Sequence, residues 1–148
     1  MYGVELVARR EGLGLSRPAL AAALNVREQN LTRWEFGKNP PRSWDWIKQA
    51  LTAMEDYQGQ LAEALAQDVL ERVQAGGEPV IMVYASERAF LHWQPQSQQV
   101  QWTDRLSGVP VELHRAAAAE AARRVRTEQG IRVSLEPVPA PAREQEQG

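Results

Sequence analysis

Apolar positions in the first third of the chain recur at helical spacing in four short groups, each closed by turn-forming residues. Val4, Leu6 and Val7 open the first, which stops at Gly12-Leu13-Gly14. Ser16 reads as the N-cap of a second, with Pro18 near its start, where a missing N–H is tolerated, and with Leu20 and Leu24 facing inward. Asn25 follows, a residue that accepts the left-handed backbone of a tight turn. Val26, Leu31 and Trp34 give the apolar side of a third helix over residues 27–34. Gly37 ends it, and Asn39-Pro40-Pro41 makes a stiff loop. Ser43 caps a fourth helix carrying Trp44, Ile47, Leu51 and Met54.

A longer stripe follows. Tyr57, Leu61, Leu65, Val69 and Val73 repeat every four residues and predict a separate helix over 57–75, ended by Gly76-Gly77-Glu78-Pro79. Residues 80–84 are a β-branched run of strand type, and Ser86 caps a short helix over 87–93. Val100-Gln101-Trp102 reads as a second strand, residues 109–127 as an alanine-rich helix stopped by Gly130, and 131–135 as a last strand. Pro137, Pro139, Pro141 and a Glu/Gln-rich end predict a disordered tail. The expected organisation is therefore a domain over 1–56, a second over 57–136 and a tail over 137–148.

Charge changes this picture in one respect. The net charge of −2 is unevenly placed: residues 1–48 hold eight basic side chains against five acidic, and the remainder nine against fourteen. A basic head on an acidic body suits contact with phosphate at one end only. The absence of cysteine excludes disulfides and thiolate metal sites, and it fits a cytoplasmic protein. No stretch is long and apolar enough for a membrane span, and charge within the first dozen residues predicts no secretion signal. His92 and His114 are isolated, no metal-ligand spacing appears, and neither a nucleophile elbow nor a phosphate loop is present. The expectation is a protein that is not an enzyme and needs no cofactor or metal.

Residues 15–38 read LSRPALAAALNVREQNLTRWEFGK. This stretch resembles the Cro/repressor class of helix-turn-helix, without a gap over all its positions. Ala21 would stand at the close crossing of two helices, and Leu20, Leu24, Val26, Leu31 and Trp34 would lock the pair. Asn25 departs from the glycine the class prefers in the turn, and Arg27 from the usual Ser or Thr cap. The resemblance implies double-stranded DNA as partner, with the second helix in the major groove. Helix geometry then makes Glu28, Gln29, Thr32 and Arg33 the candidate base contacts: Gln29 suits adenine and Arg33 guanine. Glu28 has two readings, accepting from cytosine or rejecting phosphate while holding Arg27. Arg17, Arg27, Asn30, Lys38, Asn39 and Arg42 are the candidate phosphate contacts, although Lys38, Asn39 and Arg42 also fit plain solvated loop residues. Trp34 reads as core, and an Arg10–Glu35 ion pair would fix the angle of the second helix.

The chain up to about residue 129 is also similar to a narrower group. These are small helix-turn-helix regulators with an α+β C-terminal domain, among them anti-CRISPR-associated autorepressors of phages. Trp34-Glu35, the long helix, a strand ending in Tyr84, and Trp102 before Arg105-Leu106-Ser107 and an alanine-rich helix carry that likeness. It implies a mainly α fold: an N-terminal five-helix-type, repressor-like helix-turn-helix domain followed by a small α+β C-terminal domain. It further implies a homodimer joined through the C-terminal half and repression of the protein's own operon. The expected dimer surface is Leu61, Leu65, Val69 and Val73 with Val80 and Met82 of the strand, the alternative being that the stripe only covers the local sheet. An antitoxin that also binds its promoter is the alternative function. Neither RNA nor a further protein partner is indicated.

Overall fold

The computed structural model describes residues 1–142. It is mainly helical, with six α-helices and one two-stranded sheet among the described residues. Three short helices come first: α1 (Gly3–Gly12), α2 (Arg17–Ala23) and α3 (Glu28–Glu35). The long helix α4 (Asp45–Gln74) follows, then strand β1 (Val80–Tyr84), helix α5 (Glu87–Trp93) and a 3-10 turn over Pro95–Gln99. Helix α6 (Val111–Gln129) leads to strand β2 (Ser134–Val138), which lies parallel to β1 with Val80 opposite Ser134 and Tyr84 opposite Val138.

Several boundaries are set by the local signals. The Ser16 hydroxyl accepts from the Ala19 N–H at 3.2 Å and Ser86 from the Ala89 N–H at 3.1 Å, so both helices start on a side-chain cap. Asn25 has φ 54°, the left-handed turn expected of it. α3 ends in a Schellman closure, with the Lys38 N–H on the Arg33 carbonyl and the Gly37 N–H on that of Trp34. Gly37 sits there at φ 74°, which a Cβ would strain.

The expected boundary between residues 56 and 57 does not exist. α4 runs unbroken for 30 residues through it, because nothing between Asp56 and Gly59 interrupts the hydrogen-bond ladder. The fourth and fifth expected helices are one. Its first half closes the head, with Ile47, Leu51 and Met54 buried in the same core as Leu6, Leu20 and Leu31. That core continues without a gap into Phe90, Trp102, Leu106 and Leu113 of the other half. Tyr57 meets Trp102 edge-on at 5.5 Å, and a Cβ on Gly14 would come 2.6 Å from that of Ala116 in α6. Head and body therefore share a core.

A smaller cluster lies under the sheet: Val69 of α4, Ile81 of β1, and Ala118, Ala121 and Val125 of α6. Ala62 of α4 and Ala117, Ala118 and Ala121 of α6 are buried, small residues that permit a close helix approach. The expected strand at Val100–Trp102 is reduced to a single bridge, Gln101 with Ser107, as the 3-10 turn uses the neighbouring residues. The last strand begins three residues later than expected. The tail prediction fails in its first part, since Pro137 and Val138 belong to β2 and the Trp93 indole donates to the Pro139 carbonyl at 3.3 Å. Residues 143–148 lie outside the described residues. No helix among the described residues is long and apolar enough to cross a membrane.

Candidate nucleic-acid interface

α2 and α3 are joined by a four-residue turn, Leu24 to Arg27, and meet at the buried Ala21 and Leu20 on one side and Leu31 on the other. α3 is short, so its orientation depends on what holds its inner face. Trp34 is 9% exposed and packed edge-on between Trp44 at 6.3 Å and Trp46 at 6.4 Å. It is a packing residue, and its neighbours are the first turn of α4 and the residue before it.

Glu35 supplies the second anchor. Its side chain is 0% exposed and takes two arginines. Arg10 donates Nε to Oε2 at 2.7 Å and Nη2 to Oε1 at 3.3 Å, and its Nη1 reaches the Leu15 carbonyl at 2.9 Å. The expected Arg10–Glu35 pair is present, and it is buried. Arg17 then donates Nε to Oε1 at 2.7 Å, a contact the sequence reading missed. The sequence gives Arg17 a phosphate role only, because nothing in local spacing places a residue at the start of α2 beside the end of α3. Arg9 is also consumed inside the protein, binding both Glu55 oxygens at 2.6 and 3.1 Å and tying α1 to α4.

The outer face of α3 is different. Glu28, Gln29, Thr32 and Arg33 together line one shallow surface hollow, bringing the four candidate base contacts onto one face. Gln29, Arg33 and Glu28 are exposed; Thr32 is half-buried and turns its hydroxyl back to donate to the Glu28 carbonyl at 3.0 Å. Thr32 therefore offers its methyl outward more readily than its hydroxyl. Arg27 and Asn30 are exposed, and Arg27 caps nothing with its side chain. Lys38, Asn39 and Arg42 are exposed in the loop behind the Schellman closure, Asn39 at φ 45°. Among the described residues, Arg27, Arg33, Lys38 and Arg42 are in no ion pair. The cations around α3 are available to an anion, whereas Arg9 and Arg10 are not.

The expected dimer surface is largely occupied within the chain. Val69 is fully buried, and Leu65 and Val73 pack onto its cluster with α6 and β1. Leu61 and Val80 are half-buried. Of the six residues only Met82, at 41%, is exposed. The four-residue repeat marks a face that α6 and the sheet cover, so its apolar character answers to the monomer's core.

Compared with known proteins, the chain matches no protein-family model and no curated protein.

Proposed function

We propose that this chain is a sequence-specific DNA-binding protein that enters the major groove with α3 and represses transcription, its own operon included, as a cytoplasmic homodimer. The observation that carries the reading is the division of α3. Leu31, Trp34 and Glu35 are spent on the fold, while Glu28, Gln29, Thr32 and Arg33 share one open face. Arg27, Lys38 and Arg42, next to α3 in the chain, are in no ion pair among the described residues. A helix with an amide and a guanidinium on one outward face fits base edges, and free cations on the flanking loop fit the backbone on either side. In this reading α2, its turn and α3 are a helix-turn-helix of the Cro/repressor class, which the likeness of residues 15–38 supports.

Gln29 and Arg33 read adenine and guanine, Glu28 accepts from cytosine, and Thr32 meets a thymine methyl. Arg17, Arg27, Asn30, Lys38, Asn39 and Arg42 hold the phosphates. One short helix spans too few base pairs for useful specificity, so two copies act on an inverted repeat. Repression follows from occupying the site, and the likeness to small autorepressors supplies the operon.

Selection of bound duplexes from a randomised library tests the reading. Full-length protein is expected to enrich one inverted repeat with half-site centres roughly 34 Å apart. Recovery of unselected sequence would overturn it.

A further inference from the structure

Glu35 is one carboxylate shared by two guanidinium groups. The inner group is used up: Arg10 donates three hydrogen bonds inside the protein. The outer one is not. Arg17 spends only Nε on Glu35, and among the described residues its two terminal nitrogens carry no hydrogen bond. Its side chain is 39% exposed. Glu28 and Glu11 stand near enough to favour the charged form further.

Phe36 is the second observation. It follows α3 and is 67% exposed, so it adds little to the core. The Arg17 guanidinium lies over its ring, 5.7 Å from the centroid. That distance is within reach of a cation–π attraction between the exposed ring and the guanidinium. With Nε held by a buried carboxylate and the guanidinium placed over a ring, Arg17 has given up rotamer freedom that a surface arginine ordinarily keeps. What remains open is the Nη1/Nη2 edge, the part of the fork that matches two oxygens of a phosphate.

We propose that Glu35 and Phe36 are positioning residues that hold Arg17 as a pre-set clamp for one phosphate of the DNA backbone, gripped through Nη1 and Nη2. The proposal rests on the DNA-binding reading of α3 and adds how the helix is seated. Arg17 is the first residue of α2 and Glu35 the last of α3, so one phosphate would be tied to both helices at once. Because the arginine is ordered before DNA arrives, its ordering cost is not paid on binding.

The test uses full-length protein and two labelled duplexes of equal length, the sequence enriched by the wild type and a scrambled one. Arg17→Lys keeps the charge and loses the fork, so it is expected to weaken both duplexes by about tenfold, close to the loss in Arg17→Ala. Arg17→Ala should also reduce the slope of log affinity against log salt by about 0.9. Phe36→Leu should weaken both by roughly threefold with an unchanged melting temperature. Arg17→Lys binding like the wild type would reduce Arg17 to a point charge and overturn the clamp. So would a Phe36→Leu loss of affinity that merely follows a lowered melting temperature. A wild type that binds neither duplex brings down the DNA-binding reading as well, whereas normal wild-type binding with both variants unaffected brings down the clamp alone.

Discussion

α3 and α4 both carry an apolar stripe and a polar back, yet the molecule treats them differently. α3 is held by bulky and charged groups: Trp34 between two tryptophans and Glu35 between two arginines. The second half of α4 is held by small ones, lying along the alanines of α6 with Val69 and Ile81 at the sheet end. The outward face of α3 is left with an amide, two charges and a threonine methyl in one hollow. The stripe of α4 is covered by the chain itself. An apolar stripe thus says which face is buried and nothing about whether the covering surface is the same chain or another.

Cutting the chain after Asp56 should have the largest effect. The cut falls inside α4 and removes Phe90, Trp102 and Leu113 from the core that Leu6, Leu31 and Met54 share. The fragment is expected to lack a cooperative thermal transition by circular dichroism; a folded fragment would restore the independent head. Next comes Val69→Asp, which places a charge in the fully buried cluster under the sheet. Light scattering with thermal melting should show unfolding or a loss of several kcal/mol, not a well-folded monomer. Glu35→Ala follows, at about 3–5 kcal/mol by denaturant titration, because it strands the buried Arg10 without its carboxylate. That exceeds what an exposed pair would give, and a loss under about 1 kcal/mol would mean the pair is solvent-screened.

The smallest expected effect is a pH dependence in the body of the protein. Burial against the rings of Tyr84 and Phe90 pushes the His114 imidazole below its ordinary range, so the folded state binds its proton less readily than the unfolded one. Stability is then full above the unfolded value of about 6.5 and falls as pH drops below it, until the folded value is reached. Melting temperature against pH should show that fall, and His114→Gln should flatten it.

The sequence made local events legible and left long-range ones hidden. Ser16, Asn25, Gly37 and Ser86 each mark a turn or cap through the chemistry of one residue and its nearest neighbours, and all four act as read. β1 and α5 fall where their patterns put them. The continuity of α4 is hidden because two apolar stripes in register with each other look the same as one. β2 was misplaced because parallel pairing with β1 is a contact across the whole α6 crossover, and a proline at position 137 argues locally against a strand. At the candidate interface, Arg10–Glu35 was read from the register of the resemblance, while Arg17 and Phe36 joined it only through tertiary approach.

The claim that α3 reads bases through its outer face is tested most directly by Gln29→Ala and Arg33→Ala, titrated against the enriched duplex and a scrambled one. Each is expected to lose about 1–3 kcal/mol on the enriched duplex and almost nothing on the scrambled one, with specificity relaxed at a single base pair. Equal losses on both duplexes would contradict the account, because they would make the two residues backbone contacts and leave α3 without a reading face.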